Sequence, residues 1–207
     1  MNDRLPELLK RRLANPLPGA AVDARFGARP TRLHHYDPPP AARPAAVLIL
    51  FYPREGAWHL PLTLRPAHLE DHAGQVSLPG GSIEPGETSR EAAIREFHEE
   101  LGAEGHALEP LGTLSTIYVQ ASRFRIMPWV AVARARPDFH PNPAEVEQLL
   151  EVPLLHLLDP ANHRSHQRRH EGRTFTAPHF QWQSHQIWGA TCLMLGELVM
   201  VLEGIPV

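Results

Sequence analysis

Residues 81–103 read GSIEPGETSREAAIREFHEELGA and leave little freedom in local structure. Thr88 stands three residues before Glu91, the spacing of a capping box, which predicts an N-cap at Thr88 and a helix from Ser89. Gly102 fits the position just past the helix end. Within that helix Glu96, Glu99 and Glu100 fall at i, i+3 and i+4, so they share one face across an arc of roughly 100°. Ile94, Phe97 and Leu101 lie opposite and are expected to seat the helix on a core.

Like charges this close repel, so a neutral set would make a more stable helix. The cluster makes physical sense around a cation, and hard oxygen donors suit Mg2+ or Mn2+. A solvated acidic helix face is the competing reading. Arg95 sits four residues from both Glu91 and Glu99, placed to hold a metal-binding carboxylate in orientation. Ahead of the cap, Pro79-Gly80-Gly81 and Pro85-Gly86 form a glycine-rich loop, which lets backbone approach a ligand without a Cβ in the way.

The stretch resembles the Nudix box, G-x5-E-x7-R-E-U-x-E-E-x-G-U, where U is a bulky aliphatic. Gly81, Glu87, Arg95, Glu96, Phe97, Glu99, Glu100 and Gly102 carry the match. Phe97 stands where an aliphatic is usual, and Ala103 is a small final residue. Eight spaced positions make a specific motif. The resemblance implies a hydrolase of nucleoside diphosphates linked to another moiety, with Mg2+ or Mn2+ as cofactor. It makes Glu96, Glu99 and Glu100 the expected metal ligands, Glu99, Glu100 and Arg95 catalytic residues, and Glu87 a supporting residue. It also implies the fold class, an α/β (α+β) sandwich with a mixed sheet between helices.

Residues 62–81, LTLRPAHLEDHAGQVSLPGG, are similar to the signature of the coenzyme A diphosphatase branch of that family, roughly LLTxRSxxxRxxxGxVxFPGG. Leu62, Thr63, Arg65, Gly74, Val76, Pro79, Gly80 and Gly81 agree in spacing. Leu78 replaces Phe, Pro66 stands where Ser is usual, and Glu70 stands where the pattern has Arg, a reversal of charge. Ala144-Glu145-Val146, Glu151-Val152-Pro153 and Trp188-Gly189-Ala190-Thr191 also look like this branch, so the likeness spans about residues 45–200. The implied substrate is coenzyme A, cleaved to 3′,5′-ADP and 4′-phosphopantetheine, with Arg65, Gly80 and Gly81 as substrate contacts. Another dinucleotide-like substrate, ADP-ribose or NADH, is the close rival, and a silent nucleotide-sensing module is the rival of another class. Intact box carboxylates favour an enzyme. Glu145, after the Pro141-Asn142-Pro143 turn, is the candidate base from a downstream loop, with Glu147 as its competitor.

The 207 residues suit one sizeable core. The division expected is an N-terminal helix and Pro-rich connector over 1–44, then one hydrolase domain over 45–207. A net charge of −3 gives no electrostatic reason to expect nucleic acid as partner. Cys192 is the only cysteine, which excludes an intramolecular disulfide and a cysteine-rich zinc site. Met1-Asn2-Asp3-Arg4 runs into an amphipathic stretch unlike a signal peptide, and the apolar run near 189–202 contains Glu197 and is short for a bilayer. The expectation is a cytoplasmic protein without a membrane partner. Nothing in the sequence speaks to oligomeric state.

Along the chain, residues 3–13 predict a short helix with Asp3 as cap and Leu5, Leu8, Leu9 and Leu13 on one side. The proline-rich stretch from Pro16 to Pro44 predicts an extended connector. Strands are expected at 45–52, 60–65, 75–78, 109–117, 124–133 and 146–152, a short helix after Pro153, and an apolar helix at 189–202. NHRSHQRRHEGR, residues 162–173, is polar throughout and predicts a surface loop. Its histidines 163, 166 and 170 are spaced to align on a helix and bind a transition metal, a reading outweighed by the loop. Its arginines, above all Arg168 and Arg169, are candidates for receiving the 3′-phosphate of coenzyme A. Trp129, Trp182 and Trp188 read as core rather than as stacking platforms.

Overall fold

Ala45 to Tyr52 forms the middle of a strand buried on both faces, which is why its sequence is apolar without alternation. A computed structural model of the chain describes residues 1–27, 34–35, 39–68, 72–103, 107–170 and 172–207. In order, the elements are α1 (Leu5–Leu13), a 3-10 turn (Gly19–Val22) running into α2 (Asp23–Phe26), β1 (His34–His35), β2 (Arg43–Arg54), β3 (Ala57–Leu64), β4 (Val76–Ser77) and β5 (Gly80–Ser82). There follow α3 (Ser89–Leu101), β6 (Leu108–Thr113), β7 (Ile117–Val119), β8 (Phe124–Ala133), β9 (Gln148–Pro153) and α4 (Leu154–Leu158). The chain closes with β10 (His163–His170), β11 (Arg173–Trp182), β12 (His185–Trp188) and α5 (Gly189–Leu202).

The main sheet is mixed and built on β2. It lies parallel to β8, turns through Glu55-Gly56 into antiparallel β3, and pairs at its start with β5. β9 and β4 pair with β3, β6 and β7 with β8, and β1 with β7. Ala46, Leu48, Leu50 and Tyr52 point into one core with Ala92, Ala93, Phe97 and Leu101 of α3. Val47, Ile49 and Phe51 point into the other, against Leu5, Leu9 and Leu13 of α1 and the apolar face of α5. Helices therefore cover both faces of a mixed sheet, the α/β/α layering expected.

Four local expectations are corrected. Asp3 does not cap α1; Arg4 holds that position without a side-chain hydrogen bond, and Leu5, Leu9 and Leu13 bury while Leu8 stays at the margin. The connector is not extended throughout, because Val22 and Phe26 fold onto α5 as a helical turn; Gly196 in α5 leaves the space that the Phe26 ring fills. The strand expected at 109–117 divides into β6 and β7 at Leu114–Thr116. There the backbone N–H and hydroxyl of Ser115 donate to the buried Glu197 carboxylate at 2.8 and 2.6 Å.

The fourth correction is the largest. Residues 163–170 are a strand, not a loop, paired antiparallel with β11 along its whole length. A polar strand is stable here because it is the outer member of the sheet β10–β11–β12, where charged side chains suit an exposed edge. The order comes from β11 and β12, whose Phe180 and Ile187 are buried in the core. Pleating sends His163 and His166 to opposite faces, so they share no metal, and Arg168 and Arg169 likewise point apart. Glu70 lies outside the described residues. Among the described residues no helix is long and apolar enough to cross a membrane.

Candidate active site

The site is organised by α3. Thr88 Oγ1 accepts from the Glu91 N–H at 3.3 Å and the Thr88 N–H donates to Glu91 Oε2 at 2.8 Å, the capping box expected. At the other end Gly102 adopts φ 59°, and its N–H donates to the His98 carbonyl at 2.8 Å. The core face consists of Ala92, Ala93, Phe97 and Leu101, with Ile94 only half-buried.

The three glutamates do not share one solvated face. Their environment grades from Glu99, with 53% of its side chain exposed, through Glu96 at 16%, to Glu100 at 3% for the residue. Glu100 turns under the glycine loop, where its Oε1 accepts the Gly80 N–H at 3.3 Å. Burial pushes its carboxyl up to about 8, helped by the charges of Glu145 and Glu96 and opposed by the Gly80 N–H and the Arg65 cation. Burial also raises Glu96, against the pull of Arg95.

Arg95 ties the exposed part of the cluster together. Its Nε and Nη2 grip both Glu87 oxygens at 2.9 and 3.1 Å, and its Nη1 donates to Glu96 Oε1 at 2.9 Å and Glu99 Oε2 at 3.0 Å. Nη2 also donates to the Ser82 carbonyl, which links the helix to the glycine loop. Glu87 is lowered by its hydrogen bond from Arg95. The loop needs its glycines: a Cβ on Gly81 would occupy the Glu96 carboxylate, and Gly80, at φ 152°, lies against Ala46 and Val47.

Two further parts converge on Glu100. Arg65 follows the end of β3, its N–H donating to the Gln75 carbonyl and its carbonyl accepting from Gly74. Its Nε is buried without a partner among the described residues. Glu145 sits in the turn before β9, with Oε1 accepting from Asn142 Nδ2 at 3.2 Å. That turn is fastened to the end of α3, because the N–H groups of His140 and Asn142 donate to the carbonyls of Leu101 and Glu100, both at 2.8 Å. Glu147 is exposed, and its N–H is spent on the Leu64 carbonyl. His140 and Asn142 are the residues sequence reasoning misses. The only local hint is the Asn142-Pro143 turn.

Residues expected elsewhere fall outside this centre. Trp129 donates from Nε1 to Ser89 Oγ at 3.0 Å, and Trp182 packs edge-on against His156 at 4.7 Å. Cys192 is fully buried, and burial pushes its thiol up.

The donor set fits a hard divalent cation. All donors are carboxylate oxygens, and the ionised form of the buried Glu100 carboxyl is undercompensated by one N–H and a neighbouring Arg65 alone. Among the described residues no three acidic, histidine or cysteine side chains stand together as a group that could hold a metal ion by themselves.

Comparisons place this geometry in a family. The NUDIX domain profile matches residues 42–171, which include the glycine loop, α3 and the Glu145 turn. Nudix hydrolase 15, mitochondrial, of Arabidopsis thaliana is 31% identical over 160 residues, covering 74% of this chain and 56% of that protein. The chain thus spans little more than half the length of that relative. A protein of Pectobacterium atrosepticum named as an uncharacterized Nudix hydrolase, NudL, is 33% identical over 183 residues, 81% of this chain and 90% of that one. Among solved structures, a Nudix hydrolase from M. Smegmatis, RenU, superposes with a TM-score of 0.55 at 23% identity, covering 80% of this chain and 89% of the other, a likeness of fold. This chain belongs to the NUDIX domain family.

Proposed function

We propose that this chain hydrolyses the diphosphate of coenzyme A, giving 3′,5′-ADP and 4′-phosphopantetheine, with Mg2+ or Mn2+ at Glu96, Glu99 and Glu100. The observation that carries the substrate is Arg65. It lies in the stretch that resembles the coenzyme A diphosphatase signature, and its charge acts on Glu100 while its buried Nε has no partner among the described residues. An unsatisfied buried guanidinium N–H beside a carboxylate site suits a phosphate oxygen.

A divalent cation bound at the glutamates supplies charge neutralisation for the diphosphate and acidity for a nearby water. The chain's own residues do the rest. Arg65 holds a diphosphate oxygen. The Gly80-Gly81 backbone lets the substrate approach Glu96 and Glu100 without a side chain intervening. Arg95 fixes Glu96 and Glu99 in orientation. Glu145, with Oε1 held by Asn142, offers Oε2 to take the proton from the attacking water.

The test is a substrate panel of coenzyme A, NADH and ADP-ribose with Mg2+ and with Mn2+, products identified by mass. Coenzyme A is expected to give the highest kcat/KM and the two products named. A higher kcat/KM for NADH or ADP-ribose overturns the substrate, and binding without metal-dependent turnover overturns the enzyme.

A further inference from the structure

In the sheet β10–β12, β10 ends the stretch that matches the family profile and β11 and β12 lie beyond it, and β10 carries a cation that the scheme above leaves unused. The guanidinium carbon of Arg168 stands 3.8 Å from the Trp188 ring centroid. Stacking occupies the flat face of a guanidinium and leaves its N–H edge available. Among the described residues no carboxylate pairs with that edge. Between the two side chains, on the same face of the sheet, lies Ala177, small and 1% exposed.

The neighbours hold this pair in place. Gln181 Nε2 donates to the carbonyls of Gln183 and His185 at 2.8 and 3.0 Å, so its Oε1 is turned to accept from His179 Nε2–H at 3.2 Å. His179 Nδ1 is then an acceptor, and His166 Nδ1–H donates to it at 3.0 Å. Burial, His179 and Arg168 all press His166 below its ordinary value. The face therefore presents Arg168 as a cation stacked on Trp188 beside a hydrogen-bonded histidine pair. β12 runs beside β4, which leads directly into the Pro79–Gly81 loop over Glu100.

We infer that Arg168, held flat on Trp188, is the specificity-determining residue that reads a phosphomonoester at the nucleoside end of the substrate. The inference rests on the coenzyme A reading, in which that group is the 3′-phosphate. A planar cation stacked on an indole is pre-organised to donate paired N–H bonds to a phosphomonoester dianion. Arg169, on the opposite face of β10, takes no part.

Two measurements separate this inference from the reading beneath it. In kinetics, wild type is expected to favour coenzyme A over dephospho-coenzyme A by about tenfold or more in kcat/KM. In R168Q the KM for coenzyme A rises by about that factor and the preference collapses towards one, while R168K, charged but without the planar fork, retains part of it. W188L leaves the charge and removes its support, so it also lowers the preference. In calorimetry, wild type is expected to bind 3′,5′-ADP about tenfold more tightly than 5′-AMP, and R168Q to bind them alike. Equal affinity of wild type for the two nucleotides overturns the inference whether or not coenzyme A is cleaved. Failure to cleave coenzyme A with the calorimetric difference intact overturns only the substrate reading.

Discussion

The backbone N–H of Asn142 donates to the carbonyl of Glu100 at 2.8 Å, so the turn that carries Glu145 hangs from the residue at the centre of the acidic site. Helix C-termini leave carbonyls without intrahelical partners, and here two of them, of Glu100 and Leu101, anchor the turn that carries Glu145. Asn142 also holds Glu145 through Nδ2 and accepts the Ala144 N–H at Oδ1. Replacing Asn142 by Ala removes both side-chain bonds and leaves the backbone tie. Steady-state kinetics is expected to give a fall in kcat of about tenfold for N142A, and of 10²-fold or more for E145Q, with KM little changed in both. Equal kcat in wild type and E145Q would move the base elsewhere in the site.

Gly81 is a sterner test of the same centre. A Cβ at that position would overlap the Glu96 carboxylate. G81A therefore has to push Glu96 away from the loop and from Arg95, and it is expected to lower activity by about 10²-fold or more, the cost of misplacing a positioned group by an ångström. Its thermal unfolding should shift by only a few degrees, because Gly81 and Glu96 lie outside both apolar cores. A G81A enzyme with wild-type activity would mean that Glu96 is not required where it stands.

Arg95 makes five hydrogen bonds to Glu87, Glu96, Glu99 and Ser82, and lysine has neither the donors nor the fork to replace them. R95K keeps the charge and loses the bidentate grip on Glu87. Metal titration followed by activity is expected to show an affinity weaker by about 10- to 100-fold, the usual scale for losing an orienting partner. An unchanged metal dependence would reduce Arg95 to a structural salt bridge.

What is legible in a sequence is what depends on near neighbours. The Thr88–Glu91 box, the Gly102 end and the i, i+3, i+4 glutamates follow from helix period and caps, and each takes its expected place in α3. The Glu100 environment depends on a strand and loop about twenty residues upstream and a turn about forty downstream, so its burial is invisible to periodicity. The same holds for Asn142, which acts through a backbone bond. β10 misleads for a related reason: its polar residues match a loop, and only pairing with β11 makes them a strand. Glu145 and Arg65 were reachable from motif spacing, but their convergence on Glu100 is a property of the fold.

The capping box offers a stability measurement with no catalytic confound. Thr88 lies at the far end of α3 from Glu100, and its side chain accepts the Glu91 N–H and donates to Glu91 Oε2. T88A is expected to destabilise the protein by about 0.5–2 kcal/mol in denaturant unfolding, with the slope against denaturant unchanged. A loss well above that range would mean that Thr88 supports the glycine loop as well as the helix.

Glu100 makes the stability of the metal-free protein depend on pH with a definite sign. Its carboxyl is raised from an ordinary 4.5 to about 8 in the folded chain, chiefly by burial. Between those values the folded protein holds a proton that the unfolded chain has released, so stability falls as pH rises. The contribution is complete below 4.5 and gone once pH has passed through about 8. In the presence of EDTA, wild type should therefore melt at a higher temperature near pH 5.5 than near pH 8, whereas E100Q, which has no proton to lose there, should show a flatter profile. Added Mg2+ binds the ionised form, so its stabilisation of wild type should grow over the same interval and be much reduced in E100Q. Parallel profiles for the two proteins would show that the Glu100 carboxyl does not titrate in this range.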